Sequence, residues 1–263
     1  MNRSVTVLMY HAVSDAPARD AGADPHYAVS REQFRRHLQV VAAAGARAAS
    51  VLELLEQPQV RQRRVAFTFD DGHVSNADAA ADLLAHGGAA DFFVNPSTVG
   101  TRHHLSWAAL RDMAEAGMSI QSHGQHHRYL DELSPREVEA ELAESKREIE
   151  DRLGRPVTLF APPGGRVAPG LGALAERLGY RAVCSSRVGL WQPGRGSWDV
   201  PRLAVLATTS TAQLRRWVEQ SGWELAVRQL RYQVLAAAKR TLGNGGYERL
   251  RRVLLGGAGE GGR

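Results

Sequence analysis

Short apolar runs alternate with helix-patterned segments some seven times before about residue 210, and this alternation constrains the fold more than any other feature. The runs are Val5–Tyr10, Val65–Phe69, Ala90–Val94, Ser119–Ser122, Val157–Ala161 and Ala182–Ser185. Each is short, largely apolar and bounded by turn formers, the pattern of a strand covered on both faces. The intervening helices carry their own end signals. Ser30-Arg31-Glu32-Gln33 and Ser134-Pro135-Arg136-Glu137 read as capping boxes. Val138, Leu142, Ile149 and Leu153 line one helical face. Gly45, Gly87, Gly117, Gly154 and Gly179 each follow a helical stretch, where a left-handed residue closes the last turn. The order implies a mainly parallel α/β sheet, open or closed into a barrel.

The chain has 263 residues, enough for one such domain with an appendage. The boundary is expected near residue 210, giving a body of 1–210 and an extension of 211–263. The extension holds ten Lys/Arg against four Asp/Glu, more than the whole net charge of +5. The body is close to neutral and offers no electrostatic footprint for nucleic acid. Trp223, Val227, Leu230 and Val234 share one helical face of the extension, opposite Arg228, Arg231 and Lys239. Such a helix either packs its apolar face on the body or lies on an anionic membrane. The single cysteine, Cys184, excludes a disulfide framework and a thiolate zinc site, and its apolar neighbours suggest a buried, inert thiol. The opening apolar stretch is too short for a signal-peptide core, and no run reaches a membrane span. The sequence therefore reads as cytoplasmic, with peripheral attachment to the inner membrane face through 211–263 as its open membrane role.

In parallel α/β folds chemistry gathers at the C-terminal ends of strands. His11 follows the first run, Asp70-Asp71-Gly72 the second, His123 to His127 the fourth and Pro162-Pro163-Gly164-Gly165 the fifth. Two imidazoles four residues apart, His123 and His127, can reach one metal ion if the segment turns helically, with His126 as a competitor. Two histidines with one carboxylate form a hydrolytic metal set, and Asp70-Asp71 supplies two carboxylates. Adjacent side chains point differently there, so one can bind metal while the other faces substrate. Asp-Gly is also an ordinary turn pair.

Thr68-Phe69-Asp70-Asp71-Gly72, then Ser122-His123-x-x-x-His127, then Phe160-Ala161-Pro162-Pro163-Gly164-Gly165 resemble the ordered motifs of the polysaccharide deacetylases, the family 4 carbohydrate esterases. Leu8-Met9-Tyr10-His11-Ala12-Val13 resembles the branch containing poly-N-acetylglucosamine deacetylases. The resemblance covers residues 4–210. It implies a distorted (β/α)7-type barrel with a C-terminal helical extension, and a metal-dependent hydrolase removing N-acetyl groups from an N-acetylated saccharide. By position it makes Asp71, His123 and His127 the metal ligands, Asp70 the general base and His11 the general acid. Zinc suits such a ligand set best, and nickel or cobalt also fit. A backbone N–H near Pro163 and Gly164 would meet the developing oxyanion.

Two departures from the family pattern stand out. Gly124 replaces the usual Thr or Ser, so a hydrogen bond behind the ligands is lost or supplied elsewhere. Ala161 replaces an arginine beside the base, a role for which Arg202 is the first candidate and Arg166 the second. Trp107, Trp191 and Trp198 are candidates for sugar stacking as well as for core packing. Two other readings stay open: a deacetylase or deformylase of a lipid-linked sugar at the membrane face, and a non-catalytic saccharide-binding protein. A binding module has no need of Asp70, Asp71, His123 and His127 together.

Overall fold

The computed structural model describes residues 4–15, 22–58, 62–194 and 198–221. In chain order it opens with β1 (Thr6–Tyr10), β2 (Val13–Ser14), β3 (Val29–Ser30), α1 (Arg31–Ala43), β4 (Ala46–Ala49), α2 (Val51–Glu56) and β5 (Arg63–Phe69). There follow α3 (Asn76–Ala85), β6 (Asp91–Val94), α4 (Trp107–Glu115), β7 (Ser119–Ser122) and α5 (Pro135–Leu153). The last elements are β8 (Leu159–Phe160), α6 (Leu171–Arg177), β9 (Ala182–Cys184), β10 (Asp199–Val200), β11 (Leu203–Ala204) and α7 (Thr211–Val218).

All pairings between these strands are parallel, and the main sheet runs β10-β9-β8-β7-β6-β5-β1-β11, with β4 also paired to β5. The two end strands of that path are consecutive in the chain. Residues 199–200 pair with β9, and after Pro201-Arg202 residues 203–204 pair with β1. One extended stretch thus joins the two edges of the curled sheet, which is the distorted (β/α) barrel the sequence implies. β2 and β3 form a separate parallel pair.

Both faces of the sheet are buried, as the unbroken apolar runs require. Phe93, Leu159, Ala161, Ala182, Cys184 and Val200 belong to one cluster of the core. Tyr10 stacks on Phe67 and Phe69, Phe34 of α1 meets all three edge-on, and Phe92 stacks on Phe69. Cys184 is fully buried, as expected, and burial pushes its thiol pKa up.

The helix signals act where they stand. Ser134 and Glu137 form a reciprocal capping box on α5, which ends at Gly154 with φ 64°. Ser30 caps α1 by accepting from the Gln33 N–H, while the Gln33 side chain instead donates to the Thr209 carbonyl at 2.6 Å. That bond ties α1 to the segment entering α7. Leu214, Trp217 and Val218 of α7 are buried, and the Thr6 hydroxyl donates to the Trp217 carbonyl. α7 therefore belongs to the compact unit that runs to Glu219. The helical face through Trp223 and Val227 lies outside the described residues.

Candidate metal and catalytic site

The site forms where β1, β5, β7 and β8 end. After Phe69 the chain keeps pairing for one more residue, the Asp70 N–H donating to the Tyr10 carbonyl at 2.9 Å. Asp71 then turns into the left-handed region at φ 72°, followed by Gly72 at φ 64°. This turn sends the two adjacent carboxylates opposite ways.

Asp70 points to Arg202. Guanidinium nitrogens of Arg202 donate to Asp70 Oδ1 at 2.7 Å and Oδ2 at 2.9 Å, a bidentate pair with both side chains buried. The same arginine donates to the Thr68 hydroxyl and the Ser185 carbonyl. Burial alone would raise the Asp70 pKa, but the Arg202 charge and hydrogen bonds overcome it and hold the carboxyl below its usual value. Arg166, the second candidate for this role, instead lies over Tyr129 and pairs with Glu132.

Asp71 points to the histidines. Its Oδ1 lies 3.2 Å from both His123 Nε2 and His127 Nε2. His123 Nδ1 sits 2.7 Å from the Ala161 carbonyl, which can only accept. A proton is therefore on Nδ1, which leaves Nε2, facing Asp71, as the nitrogen that can offer a lone pair. Buried Asp71 Oδ1 has no hydrogen-bond donor among the described residues. Three potential ligand atoms, one each from Asp71, His123 and His127, lie within 4.8 Å of one another and fit a divalent cation. Burial disfavours imidazolium at His123, yet the charges of Asp70 and Asp71 raise its pKa, the same field that would draw a cation in.

The two imidazoles do not converge through a helical turn, contrary to the sequence expectation. Residues 123–127 form an irregular loop with left-handed Gly124 (φ 83°) and His127 (φ 56°). Asn95, directly after β6, holds this loop by donating to the His123 and Gly124 carbonyls at 2.6 and 3.0 Å. Glu141, buried on α5, accepts from the His126 N–H and lies 2.9 Å from His126 Nδ1. His126 is thereby turned to α5 and takes no part in the trio. A Cβ on Gly124 would come within 3.1 Å of Glu141 Oε2, so the glycine leaves room for that carboxylate.

His11 lies beside the trio, its ring centroid 4.5 Å from that of Tyr27. Burial lowers its pKa, against the pull of Asp71 and Asp70, and its Nδ1 has no hydrogen-bond partner. Pro163, Gly164 and Gly165 form a short 3-10 turn after β8. The Gly165 and Arg166 N–H groups are spent on the Pro162 and Pro163 carbonyls, and prolines have none, which leaves the Gly164 N–H as the turn's donor. The His103 carbonyl accepts from the Val74 N–H, and His104 forms an isolated bridge with His73.

The tryptophans are placed elsewhere. Trp191 is 2% exposed and exchanges backbone hydrogen bonds with Val5, so packing takes its ring. Trp198 is exposed, but it precedes β10, at the opposite end of the strand from the site, and covers Gly172 of α6. Trp107 starts α4 beneath the Arg152 guanidinium.

Asn95, Glu141 and Tyr27 were not among the sequence candidates. The strand-end rule applied to β6 gives Asn95. Glu141 interrupts the apolar face of α5 between Val138 and Leu142, a visible signal for a buried carboxylate with a purpose.

Residues 57–183 match the family model described as polysaccharide deacetylase. The chain is 26% identical over 218 residues to YxkH of Bacillus subtilis, described as a polysaccharide deacetylase, covering 81% of this chain and 75% of that one. It is 28% identical over 142 residues to a peptidoglycan-N-acetylglucosamine deacetylase of Bacillus cereus, covering 53% and 62%. Among solved structures, the Streptococcus pyogenes deacetylase PplD in complex with acetate superposes with a TM-score of 0.73 at 24% identity, over 83% of this chain and 99% of that one. IcaB from Ammonifex degensii gives 0.71 at 23% identity, over 82% and 97%.

Proposed function

We propose that this chain, whose residues 57–183 match the polysaccharide deacetylase model, hydrolyses the N-acetyl amide of a saccharide with a divalent metal held by Asp71, His123 and His127. The observation that carries this reading is the split of Asp70 and Asp71, one carboxylate on an arginine and its neighbour 3.2 Å from two imidazole Nε2 atoms. A metal in that trio would polarise the acetyl carbonyl and lower the pKa of a bound water toward about 7.

The chain's own residues supply the rest. Asp70, kept ionised by Arg202, takes the proton of the attacking water as its oxygen bonds to the carbonyl carbon. The Gly164 N–H is the backbone donor at hand for the developing oxyanion. His11 hands a proton to the nitrogen as the carbon–nitrogen bond breaks, giving acetate and a free amine.

Zinc is the proposed metal on the chemistry of the donor set. No helix among the described residues is long and apolar enough to cross a membrane. A lipid-linked substrate, with peripheral attachment at the cytoplasmic membrane face, rests on the basic sequence of 211–263 alone.

The test is metal content together with acetate release from N-acetylglucosamine oligomers. We expect one zinc per chain, and kcat lowered about 10²–10⁴-fold in Asp70→Asn and in His11→Ala with metal retained. Absence of bound metal after reconstitution overturns the proposal.

A further inference from the structure

The trio is not equally open on all sides. The side chains of His123 and Asp70 are 2% and 4% exposed, whereas those of Asp71 and His127 are 38% and 40% exposed. A group that reaches the trio therefore comes in over Asp71 and His127. On that side, two residues beyond His127, stands Tyr129, 39% exposed, its ring centroid 6.4 Å from that of His127. Trp198, the other large aromatic with comparable exposure among the described residues, is far from this opening.

The Tyr129 ring is held in place. The Arg166 guanidinium lies over it, 3.9 Å from the ring centroid, and is itself fixed by Glu132 at 2.7 Å and Asp131 at 3.5 Å. Gly164, at φ 61°, supports the ring edge so closely that a Cβ there would lie 2.8 Å from Cε1. The turn that carries the Gly164 N–H thus also seats the aromatic ring. A ring fixed in this way loses little conformational entropy when a ligand settles on it.

We propose that Tyr129 is a stacking platform for the pyranose ring whose acetamido group enters the trio. The apolar C–H face of the sugar would lie on the exposed part of the tyrosine ring. An acetyl carbonyl is only two bonds from the ring carbon that bears the nitrogen, so a sugar whose acetyl group sits at Asp71 and His127 has its ring within reach of Tyr129. This inference deepens the deacetylase reading and rests on it for the identity of the ligand.

The test is calorimetric titration of the N-acetylglucosamine tetramer into zinc-loaded full-length Asp70→Asn protein, which binds without turnover. Tyr129→Ala and Tyr129→Leu are added on that background, with Tyr129→Phe and Tyr129→Trp as conservative replacements. Leu keeps bulk over Gly164 without a flat face. We expect Ala and Leu to weaken binding about tenfold and Phe and Trp to stay within about threefold of the parent. On the unmodified base, the loss should fall in KM more than in kcat. Equal affinity for Leu and parent, or no tetramer binding by the parent, overturns the platform. Tetramer binding that depends on Tyr129, from a protein that releases no acetate, upholds the platform and removes the deacetylase reading instead.

Discussion

Arg202 grips both carboxylate oxygens of Asp70 from 132 residues away in the chain, at 2.7 and 2.9 Å and out of contact with solvent. The pair does two things. It keeps Asp70, the proposed base, ionised in a site where burial works against charge, and it ties the stretch that joins β10 to β11 onto the end of β5.

Removing one partner strands the other charge in the interior. Arg202→Ala should cost about 3–5 kcal/mol in urea unfolding and lower kcat at least about a hundredfold. Adding Asp70→Asn to it should recover part of the stability and none of the activity. Equal stability of Arg202→Ala and the parent protein would count against this account.

Glu141 holds the loop that carries His123 and His127, the proposed metal ligands, where position 124 has no hydroxyl to do so. Glu141→Ala leaves the His126 N–H without its acceptor and releases residues 124–127. Zinc affinity, read by competition with a chromogenic chelator, should fall about 10–100-fold. Glu141→Gln keeps one acceptor oxygen and should lose less.

The tryptophans separate core from surface. Trp191→Ala opens a cavity in a closely packed region and should cost about 3–5 kcal/mol. Trp198→Ala should stay within about 1 kcal/mol of the parent and leave KM for the tetramer unchanged. A rise in KM there would bring Trp198 back as a sugar contact.

His37 sets a pH limit on stability. It is fully buried, Nε2 donating to the Thr209 carbonyl at 3.2 Å and Nδ1 accepting from the Tyr10 hydroxyl at 3.1 Å. Burial lowers its pKa to about 4, while the bond to Thr209 pulls the other way. The unfolded chain, with an ordinary imidazole near 6.5, binds more protons between these values. Stability from this group is therefore complete above about pH 6.5 and is lost as pH falls toward 4, a total of about 3 kcal/mol. Unfolding free energies of His37→Gln, measured from pH 7 to 4, should decline less steeply than those of the parent.

Much of this architecture is legible in the sequence because buried parallel strands leave unbroken apolar runs. All six runs became strands, and the five glycines expected to close helices take positive φ. The strands outside those runs, β2, β3, β4, β10 and β11, are short or carry little apolar signal, and only their partners define them. Site chemistry is legible where it sits at strand ends. Arg202 needed the family pattern to be noticed, since nothing local in Val200-Pro201-Arg202-Leu203 tells a buried arginine from a solvated one. The loop geometry at His123 and His127 was hidden because a histidine at positive φ is uncommon and spacing favours a helical turn.

The order in which the chain is made adds a consequence. By residue 127 every proposed metal ligand has been synthesised, yet Asp70 waits another 75 residues for its counter-charge. Until Arg202 arrives, burying the end of β5 would take the Asp70 carboxylate out of water without its bidentate partner. The growing chain thus carries every proposed metal ligand before it carries the guanidinium that lets Asp70 be buried as a carboxylate, and the proposed site is complete only with the stretch that closes the barrel.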